Sequence, residues 1–536
     1  MKREDRTLRT GWFVLSVVLG VVALSIIPPF EIFGMLTSKV DVLSELRGEA
    51  LAMEEPMEYT ADIERLEHEL ATMAVDSVAI VDTLPEPPTA RYEWILEPVP
   101  SREHVAICSD ALSYDPERGV VPIENFDTLQ GGKFEKFISK LANGEDVRIA
   151  FMGDSFIEGD ILTSDFRAIM QEKFGGRGVG FVACDIPFGT VRKSVKRSST
   201  GWTAYSVMKP KTLPERVKDK FFVSGYLAEG KSGATTRWSS TDAFPTLDSC
   251  SRARVLLYSR DSSRVVVEVN DSLRQSFDIE GADILRELYV EAPISSLRLR
   301  VDSGNVLCYG ASLEGNGGIQ VDNFSVRSNN GHAIFGTSAK INRQADDMLH
   351  YDLVVLQYGL NIMQKGQRGY SRYRDQLRDM IAYAERCFPN AAILVLGVSD
   401  RWVKNEETSK YEPIGSVDAL TSYQRAAADS CGVAFWNTSK AMAQLGGMPK
   451  FVANGWAAKD YTHINFNGGK RIANELAASI IDEVRAVVKA REEEFIQVGL
   501  FEQPEVAVEA VAESDLQLPI DTVRTTANDA EPVLNE

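Results

Sequence analysis

The sequence predicts an α/β protein in which a parallel sheet, covered by helices on both faces, is interrupted by an all-β segment. Residues 101–190 and 318–490 alternate short apolar runs with amphipathic runs of helical length. Strands that alternate with helices in this way are typical of a parallel sheet. Residues 191–317 instead contain short β-branched runs at roughly ten-residue spacing, which are typical of an antiparallel sandwich or jelly roll.

The individual elements follow in chain order. "KFEKFISKLANG" predicts a helix with an Asn-Gly cap, "VRIAFM" a buried strand, and "TSDFRAIMQEKFGG" a helix that ends at Gly175. The β segment contains "RARVLLYSR", "SRVVVEVN", "ELYVEAP", "SSLRLRVD" and "NVLCYGASLEG". After it, the strands "YDLVVLQYG", "AAILVLGVS" and "VAFWNTS" alternate with the helices "RYRDQLRDMIAYAERC", "ALTSYQRAAADSC" and "GGKRIANELAASIIDEVRAVV".

Length and charge limit the possible classes of protein. The chain has 536 residues and a formal net charge of −19 at pH 7. Because a typical domain has ~100–200 residues, we expect more than one folded domain. Nucleic-acid binding relies on clustered Lys and Arg, so the acidic balance argues against it. Residues 491–536 are rich in acids and lack sustained periodicity, which predicts a disordered acidic tail.

An uncharged apolar run near the N-terminus predicts a membrane anchor. Residues 11–30, at a rise of ~1.5 Å per residue, come close to spanning a ~30 Å hydrocarbon core. Lys and Arg precede the run and acids follow it, so the positive-inside rule keeps residues 1–10 in the cytoplasm. A cleaved signal peptide is the alternative, but Pro28, Pro29 and Phe30 stand where its cleavage site would fall. We therefore predict an uncleaved anchor.

Residues 31–100 are predicted to connect the anchor to the folded part of the chain. Leu43, Leu46 and Leu51 recur at helical spacing among acids, which predicts amphipathic stalk helices. A solvated spacer is favoured over a partner-binding coiled coil. Residues 84–100 are rich in Pro and predict an extended linker between the stalk and the folded head.

Polar side chains follow the predicted strands at the point where each strand ends. Ser155 follows "VRIAFM", Asn361 follows "DLVVLQY", and Asp460 and His463 precede the last helix. The carboxyl ends of parallel strands meet at one edge of a sheet, where ligands bind. A hydroxyl, an amide and an acid–imidazole pair would gather there, and acyl transfer needs these groups. Each residue taken alone could equally belong to an ordinary turn or cap, but the ordered combination favours a catalytic site.

In these motifs the sequence resembles the SGNH hydrolases, the GDSL-type esterases and acetylesterases. The match covers residues 123–190 and 318–490. Block one is "GDSFIEG", block three is "GLNI", with Ile362 in place of the customary Asp, and block five is "DYTH". Block two is the loop "VDNFSVRSNNG", which has Ser328 at the position of the family's oxyanion glycine; Gly331 is the alternative alignment.

The resemblance implies a three-layer, flavodoxin-like sheet and a serine triad that works without a cofactor. Ser155 would be the nucleophile, His463 the base that removes its proton, and Asp460 the group that holds the imidazole tautomer. The backbone N–H groups of Ser155 and Ser328 and the side-chain amide of Asn361 would bind the oxyanion. The replaced glycine still permits this, because serine also has a backbone N–H.

His332 and Trp202 are the candidate substrate contacts. His332 lies in the block-two loop but has no Asp at matching spacing, so it is a weaker candidate for the base. Trp202, Trp238, Tyr258 and Tyr289 of the β segment could stack on sugar rings, but we expect most of them to be core residues. The six Cys are scattered and lack a close CxxC spacing, so neither a metal site nor a disulfide pairing is predicted.

An anchor, a linker and a β module inserted between blocks one and two resemble the periplasmic peptidoglycan O-acetylesterases of Gram-negative bacteria. The resemblance implies a single-pass inner-membrane protein whose periplasmic domain removes O-acetyl groups from a glycan such as peptidoglycan. The inserted module would then bind carbohydrate. One alternative is an O-acetyltransferase supplied by a membrane-bound O-acyltransferase partner, since both chemistries use the same acyl-serine. The other is a catalytically silent glycan-binding scaffold.

Overall fold

The computed structural model describes residues 31–32, 35–36, 90–112, 119–127, 129, 131–187, 192–241, 243 and 250–497. The chain divides into two compact units, residues 1–489 and 490–536. In the second unit the described residues are 490–497, the end of a helix. The predicted cytoplasmic segment and membrane anchor, with most of the stalk and of the acidic tail, lie outside the described residues. Within those ranges no helix combines the length and the apolar character that a membrane span needs.

Twenty strands lie within the described residues. In chain order they are β1 Glu31–Ile32, β2 Met35–Leu36, β3 Ala90–Ile95, β4 Glu124–Asn125, β5 Val147–Gly153, β6 Gly180–Ala183, β7 Lys196–Ser206, β8 Tyr226–Ser239, β9 Cys250–Tyr258, β10 Ser263–Val269, β11 Leu273–Ile279, β12 Leu285–Ile294, β13 Ser296–Ser303, β14 Asn305–Glu314, β15 Ile319–Ser325, β16 Leu353–Gln357, β17 Ala392–Leu396, β18 Trp402–Lys404, β19 Tyr411–Pro413 and β20 Ala434–Trp436.

Nine α-helices lie within the same ranges: α1 Lys133–Ala142, α2 Thr163–Phe174, α3 Glu215–Lys218, α4 Ala339–Leu349, α5 Ser371–Cys387, α6 Val417–Cys431, α7 Thr438–Gln444, α8 Gly447–Ala453 and α9 Phe466–Gln497. Their ends follow local sequence signals. The predicted close of α2 at Gly175 is confirmed, and this glycine has a φ of 79° that favours glycine. Helix α7 begins where the Asn437 side chain accepts a hydrogen bond from the N–H of Lys440.

A six-stranded sheet positions the loops that carry the predicted catalytic residues. Its strands lie in the order β15-β5-β16-β17-β20-β4, and the first five are parallel. Alternate residues of β5 enter different cores: Ala150 and Met152 pack with α4, α5 and α6, whereas Ile149 and Phe151 pack with α1, α2 and α9. Helices therefore cover both faces, and the predicted α/β fold is confirmed.

The β segment forms most of a ten-stranded sheet, so antiparallel pairings outnumber parallel ones in the described residues. The main order is β11-β10-β13-β8-β14-β9-β12-β3, with β6 paired to β14 and β7 to β8. Strand β3, at residues 90–95, lies within the predicted linker and pairs in parallel with β12. This part of the chain is extended, as expected, but it is not a free spacer, because Tyr92, Trp94 and Leu96 pack against the core of the sheet. Strand β6 also belongs to this sheet, although it lies before residue 191, the predicted start of the β segment.

A buried arginine joins the two sheets. Arg148 of β5 donates from Nη1 to Glu314 Oε1 (2.7 Å) and from Nη2 to Ser312 Oγ (2.5 Å), both on β14. Its Nε donates to Asp322 Oδ2 of β15 (2.8 Å), which also accepts the hydroxyl of Tyr351 (2.6 Å). Burial raises the pKa of Glu314, but the charge of Arg148 and a second arginine outweigh burial and hold it at about 2. The ion pairs are therefore charged at neutral pH.

Candidate active site

Ser155 lies in the tight turn that follows β5. The strand ends at Gly153, where an added Cβ would lie 2.9 Å from the backbone oxygen of Gln357 on the neighbouring strand, so only glycine fits. Asp154 is fully buried, and its Oδ1 accepts the N–H of Phe156 (2.9 Å). This hydrogen bond fixes the turn. Ser155, between them, is half-buried and remains accessible.

Asn361 brings three of the sequence blocks together. It lies in a single 3₁₀ turn, Leu360–Ile362, after β16. Its Nδ2 donates to Asp154 Oδ2 (3.2 Å) and to the backbone oxygen of Asn329 (2.9 Å). Blocks one, two and three therefore meet at the carboxyl end of the parallel strands, as predicted from their positions in the sequence. Both amide hydrogens are engaged, so an oxyanion must compete with Asp154 or with Asn329 for one of them.

Asp460 and His463 form a hydrogen-bonded pair in the loop before α9. His463 Nδ1 lies 2.6 Å from Asp460 Oδ2, and Asp460 Oδ1 accepts the N–H groups of Thr462 and of His463 itself. Burial raises the pKa of Asp460, but the hydrogen bonds from His463 and the backbone outweigh it and leave the pKa below its usual value. An ionised Asp460 accepts only, so Nδ1 carries the proton and Nε2 of a neutral His463 is free to act as a base.

The pair lies close to the turn that carries the serine. Burial raises the pKa of Asp154 to about 7, and the positive charge of His463 is one of the influences that lower it. The imidazole and the Asp154 carboxyl are therefore near enough to interact. Ser155 follows β5, and the loop of Asp460 and His463 is joined to the segment after β17, where the N–H of Trp402 donates to the backbone oxygen of Tyr461 (3.0 Å).

The block-two loop favours Ser328 over Gly331 as the oxyanion donor. Gly331 donates its N–H to Asn329 Oδ1 (2.9 Å), and a Cβ at Gly331 would lie 2.4 Å from the sulfur of Met380, so this glycine serves packing. Ser328 is exposed and has a φ of 60°, in the left-handed region. No hydrogen bond within the described part of the chain uses the Ser328 N–H.

The two candidate substrate contacts differ in their surroundings. His332 is half-buried, with Nδ1 2.8 Å from Gln376 Nε2. Trp202 of β7 is half-buried and its ring covers Gly230. Both remain candidates for substrate binding.

The other three aromatic residues of the β segment are core residues. Trp238 is 0% exposed, Tyr258 4% and Tyr289 6%. The prediction that most of the four named aromatic residues belong to the core is therefore confirmed for these three. No group of three or more His, Cys, Asp or Glu side chains that could hold a metal ion occurs in the ranges that the structure describes.

Sequence reasoning missed two residues that support the site. Asp154 anchors Asn361 to the serine turn. Arg401 donates from Nη1 to the backbone oxygen of Leu360 (3.3 Å); burial lowers its pKa, whereas the nearby charge of Asp460 raises it. Arg401 therefore links the block-three turn to the acid of the pair. Its position just beyond the end of the parallel strand β17 is the signal that could have identified it.

Asp154→Asn is expected to change how stability depends on pH. The pKa of Asp154, about 7, lies above its value in an unfolded chain, ~3.9. Its contribution is complete below about pH 4 and is lost as the pH rises through about 7, at up to about 1.4 kcal/mol per pH unit. Urea unfolding of both proteins at pH 5 and pH 8 measures this difference. An unchanged pH dependence in Asp154→Asn would show that the carboxyl does not titrate there.

Asn361→Ala is expected to lower turnover of an acetyl ester by about 10²–10³, the usual cost of losing one oxyanion donor. Ser328→Gly is the matched variant in the same constellation, because it keeps the backbone N–H and suits a φ of 60°. We expect it to retain most of the activity. Steady-state rates decide both points, and near-normal rates for Asn361→Ala would remove this residue from the oxyanion site.

A solved structure shares this fold. It is a peptidoglycan O-acetylesterase, 21% identical to this chain, with a TM-score of 0.55. The alignment covers 69% of this chain and 99% of the esterase. A family two carbohydrate esterase from Cellvibrio japonicus is 11% identical, with a TM-score of 0.23. That alignment covers 54% of this chain and 99% of the carbohydrate esterase. No family model matches the sequence, and no curated protein matches it significantly.

The first of these likenesses establishes the fold, and the second is too weak to add to it. At 21% identity this likeness does not carry an activity or a superfamily over to this chain. What this chain acts on is a separate question.

Proposed function

We propose that this chain is an SGNH-type serine esterase that removes O-acetyl groups from a cell-envelope glycan such as peptidoglycan. The observation that carries the proposal is the Asp460–His463 hydrogen bond of 2.6 Å, in a loop at the sheet edge where Asn361 contacts the serine turn. A base oriented by a carboxylate, a nearby serine and oxyanion donors are the parts of an acyl-transfer site.

The chemistry follows from these positions. His463 Nε2 removes the proton of Ser155 as its Oγ attacks the acetyl carbonyl, and Asp460 stabilises the imidazolium that forms. The N–H groups of Ser155 and Ser328 and the Asn361 amide stabilise the oxyanion. When the tetrahedral intermediate collapses, the bond between the acetyl carbon and the sugar oxygen breaks, and His463 gives its proton to that oxygen. Water, activated by the same base, then attacks the acetyl-serine and releases acetate.

The proposal extends to the architecture. We interpret the parallel strands as a flavodoxin-like sheet, because their order, taken in sequence as β5, β15, β16, β17 and β20, is 2-1-3-4-5. We interpret the ten-stranded sheet as an inserted jelly-roll module that takes part in glycan binding. A cation-lined cavity between this sheet and the serine turn supports that role.

Location and partners are part of the same proposal. The apolar, uncharged residues 11–30 support an inner-membrane anchor with the catalytic domain in the periplasm, where an acetylated glycan is the partner. An O-acetyltransferase that takes acetyl from a membrane-bound O-acyltransferase would use the same residues. No contact of the described residues favours it over hydrolysis.

Acetate release from O-acetylated peptidoglycan by the full-length protein tests the proposal. We expect release that depends on Ser155, and parallel release from a small chromogenic acetyl ester. Release from the chromogenic ester but not from peptidoglycan would keep the esterase and reject this glycan. Acetyl transfer to a glycan acceptor, with little free acetate, would replace hydrolysis by transfer.

A further inference from the structure

A cavity of about 250 Å³ lies beside the turn that follows Ser155. Glu158 and Gly159 of that turn line it, together with Asn323 and Ser325 at the end of β15. The remaining lining comes from the ten-stranded sheet and from the segment that enters β7. The cavity therefore lies where the two sheets meet, next to the proposed nucleophile.

The cavity is within reach of a substrate bound at Ser155. Glu158 follows Ser155 by three residues, so their Cα atoms are at most about 11 Å apart. A group held in the cavity can therefore belong to the sugar unit that carries the ester or to its neighbour. The volume lies just below the ~300–1,000 Å³ of sites for drug-sized ligands, which suits one ring-sized group.

Three cationic side chains line the cavity, and two of them are not neutralised there. Arg192 donates from Nε to buried Asp160 (2.9 Å) and from both terminal nitrogens to backbone oxygens. Lys196 is exposed and has no ion pair within the described ranges. Arg197 Nη1 is buried and has no hydrogen-bond acceptor in the described part of the chain.

The nearest acid does not satisfy Arg197. Asp185 influences the Arg197 charge, but its Oδ1 accepts the N–H of Ile186 (2.9 Å) and the hydroxyl of Ser199 (2.7 Å). Burial lowers the pKa of Arg197, and the charge of Asp185 offsets only part of that effect. A buried guanidinium N–H without an acceptor is costly, and a bound anion would remove that cost.

The lining also indicates the kind of anion. A guanidinium presents its N–H groups in a fork that matches a carboxylate. Glu158 lines the cavity as well, but its charge is offset by the ion pair with Arg327 at 3.1 Å. The charges of Arg197 and Lys196 therefore remain for an anion, and the fork of Arg197 suits a carboxylate.

We propose that this cavity is a subsite in which Arg197 and Lys196 bind a carboxylate of the acetylated glycan. The inference rests on the proposed function, since it concerns the substrate of the same site. The carboxylate has two possible sources, a uronic acid unit of a polysaccharide or the stem peptide of peptidoglycan. Both present the same group to the cavity.

The test compares substrates that differ only in the carboxylate. One pair is an O-acetylated uronic acid oligosaccharide and its carboxyl-reduced form; the other is an O-acetylated muropeptide and its amidated form. In the full-length protein we expect kcat/KM to be about 10–100-fold higher for the charged member of one pair, which identifies the source. Equal values in both pairs would overturn the proposal.

Variants of the lining residues test whether the cavity causes the preference for the carboxylate-bearing substrate. Arg197→Gln should reduce it to less than about threefold, and Arg197→Lys should recover part of it because the charge remains. Lys196→Gln, at an exposed position, gives a second readout that does not depend on a buried substitution. Arg264→Gln is the matched control, since this exposed arginine pairs with Asp278 on the hairpin β10–β11. A preference that survives in both Arg197→Gln and Lys196→Gln would refute the assignment.

Calorimetric binding of the same pairs separates this inference from the proposed function. Binding to Ser155→Ala needs no hydrolysis, so a protein that fails as an esterase can still show the preference and its loss in an Arg197→Gln background. Binding that ignores the carboxylate would reject the subsite, even if hydrolysis of a chromogenic acetyl ester supported the esterase.

Discussion

Ser155→Ala is expected to lower hydrolysis of an acetyl ester by about four to six orders of magnitude. Without Oγ no acyl-enzyme can form, and the oxyanion donors alone give little catalysis. The fold should be unaffected, because the side chain is half-buried and the turn depends on Asp154 and on Gly153. Rates with a chromogenic acetyl ester, beside the unfolding temperature of both proteins, measure the two effects.

Ser262→Ala is the matched control for this substitution. Ser262 is exposed in the turn between β9 and β10, far from the serine turn in sequence, and its loss should leave the rate unchanged. If Ser155→Ala kept more than a few per cent of the activity, the nucleophile would have to be another group or an activated water.

His463→Ala should cause a loss of similar size, because Ser155 would lose its base and the departing sugar its proton donor. Asp460→Asn keeps the geometry of the pair but favours the wrong imidazole tautomer, and a loss on the order of 10⁴ is expected. Steady-state rates with a chromogenic acetyl ester measure both losses.

A second histidine–aspartate pair provides the control. His104 Nε2 lies 3.6 Å from Asp146 Oδ1, and both side chains are about half exposed. His104→Ala removes an imidazole from a carboxylate away from the proposed site and should leave the rate unchanged. If His104→Ala and His463→Ala lowered the rate equally, neither loss of rate could be attributed to removal of the catalytic base.

The parts of the structure that depend on local pattern could be predicted from the sequence. The apolar run of β5, the C-terminal ends of α1 and α2, and the alternation of strands and helices follow from burial and backbone preferences. The predicted Thr/Ser/Asp cap at the start of α2 is wrong, because Leu162 occupies the N-cap and makes no side-chain cap. Strand β3 was hidden because prolines surround its alternating aromatic residues, which pair only with a distant strand. Such a contact leaves no local signal.

The candidate site could also be predicted only in part from the sequence. The positions of Ser155 and Asn361 follow from the ends of parallel strands, but the buried hydrogen bond between Asn361 and Asp154 does not. The hydrogen bond from Gly331 to Asn329, which argues for Ser328 as the donor, also left no signal in the sequence. Trp238 could not be assigned to a core or to a surface until the sheet was known, because large aromatic residues occur in both places.

Arg148 has a consequence for how this architecture can change. It is a β5 residue of the catalytic sheet, yet two of its hydrogen-bond partners lie on β14 of the other sheet. Removing one partner of a buried ion pair typically costs about 3–5 kcal/mol. Recombination that replaced the β segment by another insert would therefore destabilise the catalytic sheet, unless the new insert supplied a carboxylate to Arg148. Substitutions in the β segment and in the catalytic sheet are therefore expected to be correlated at these positions.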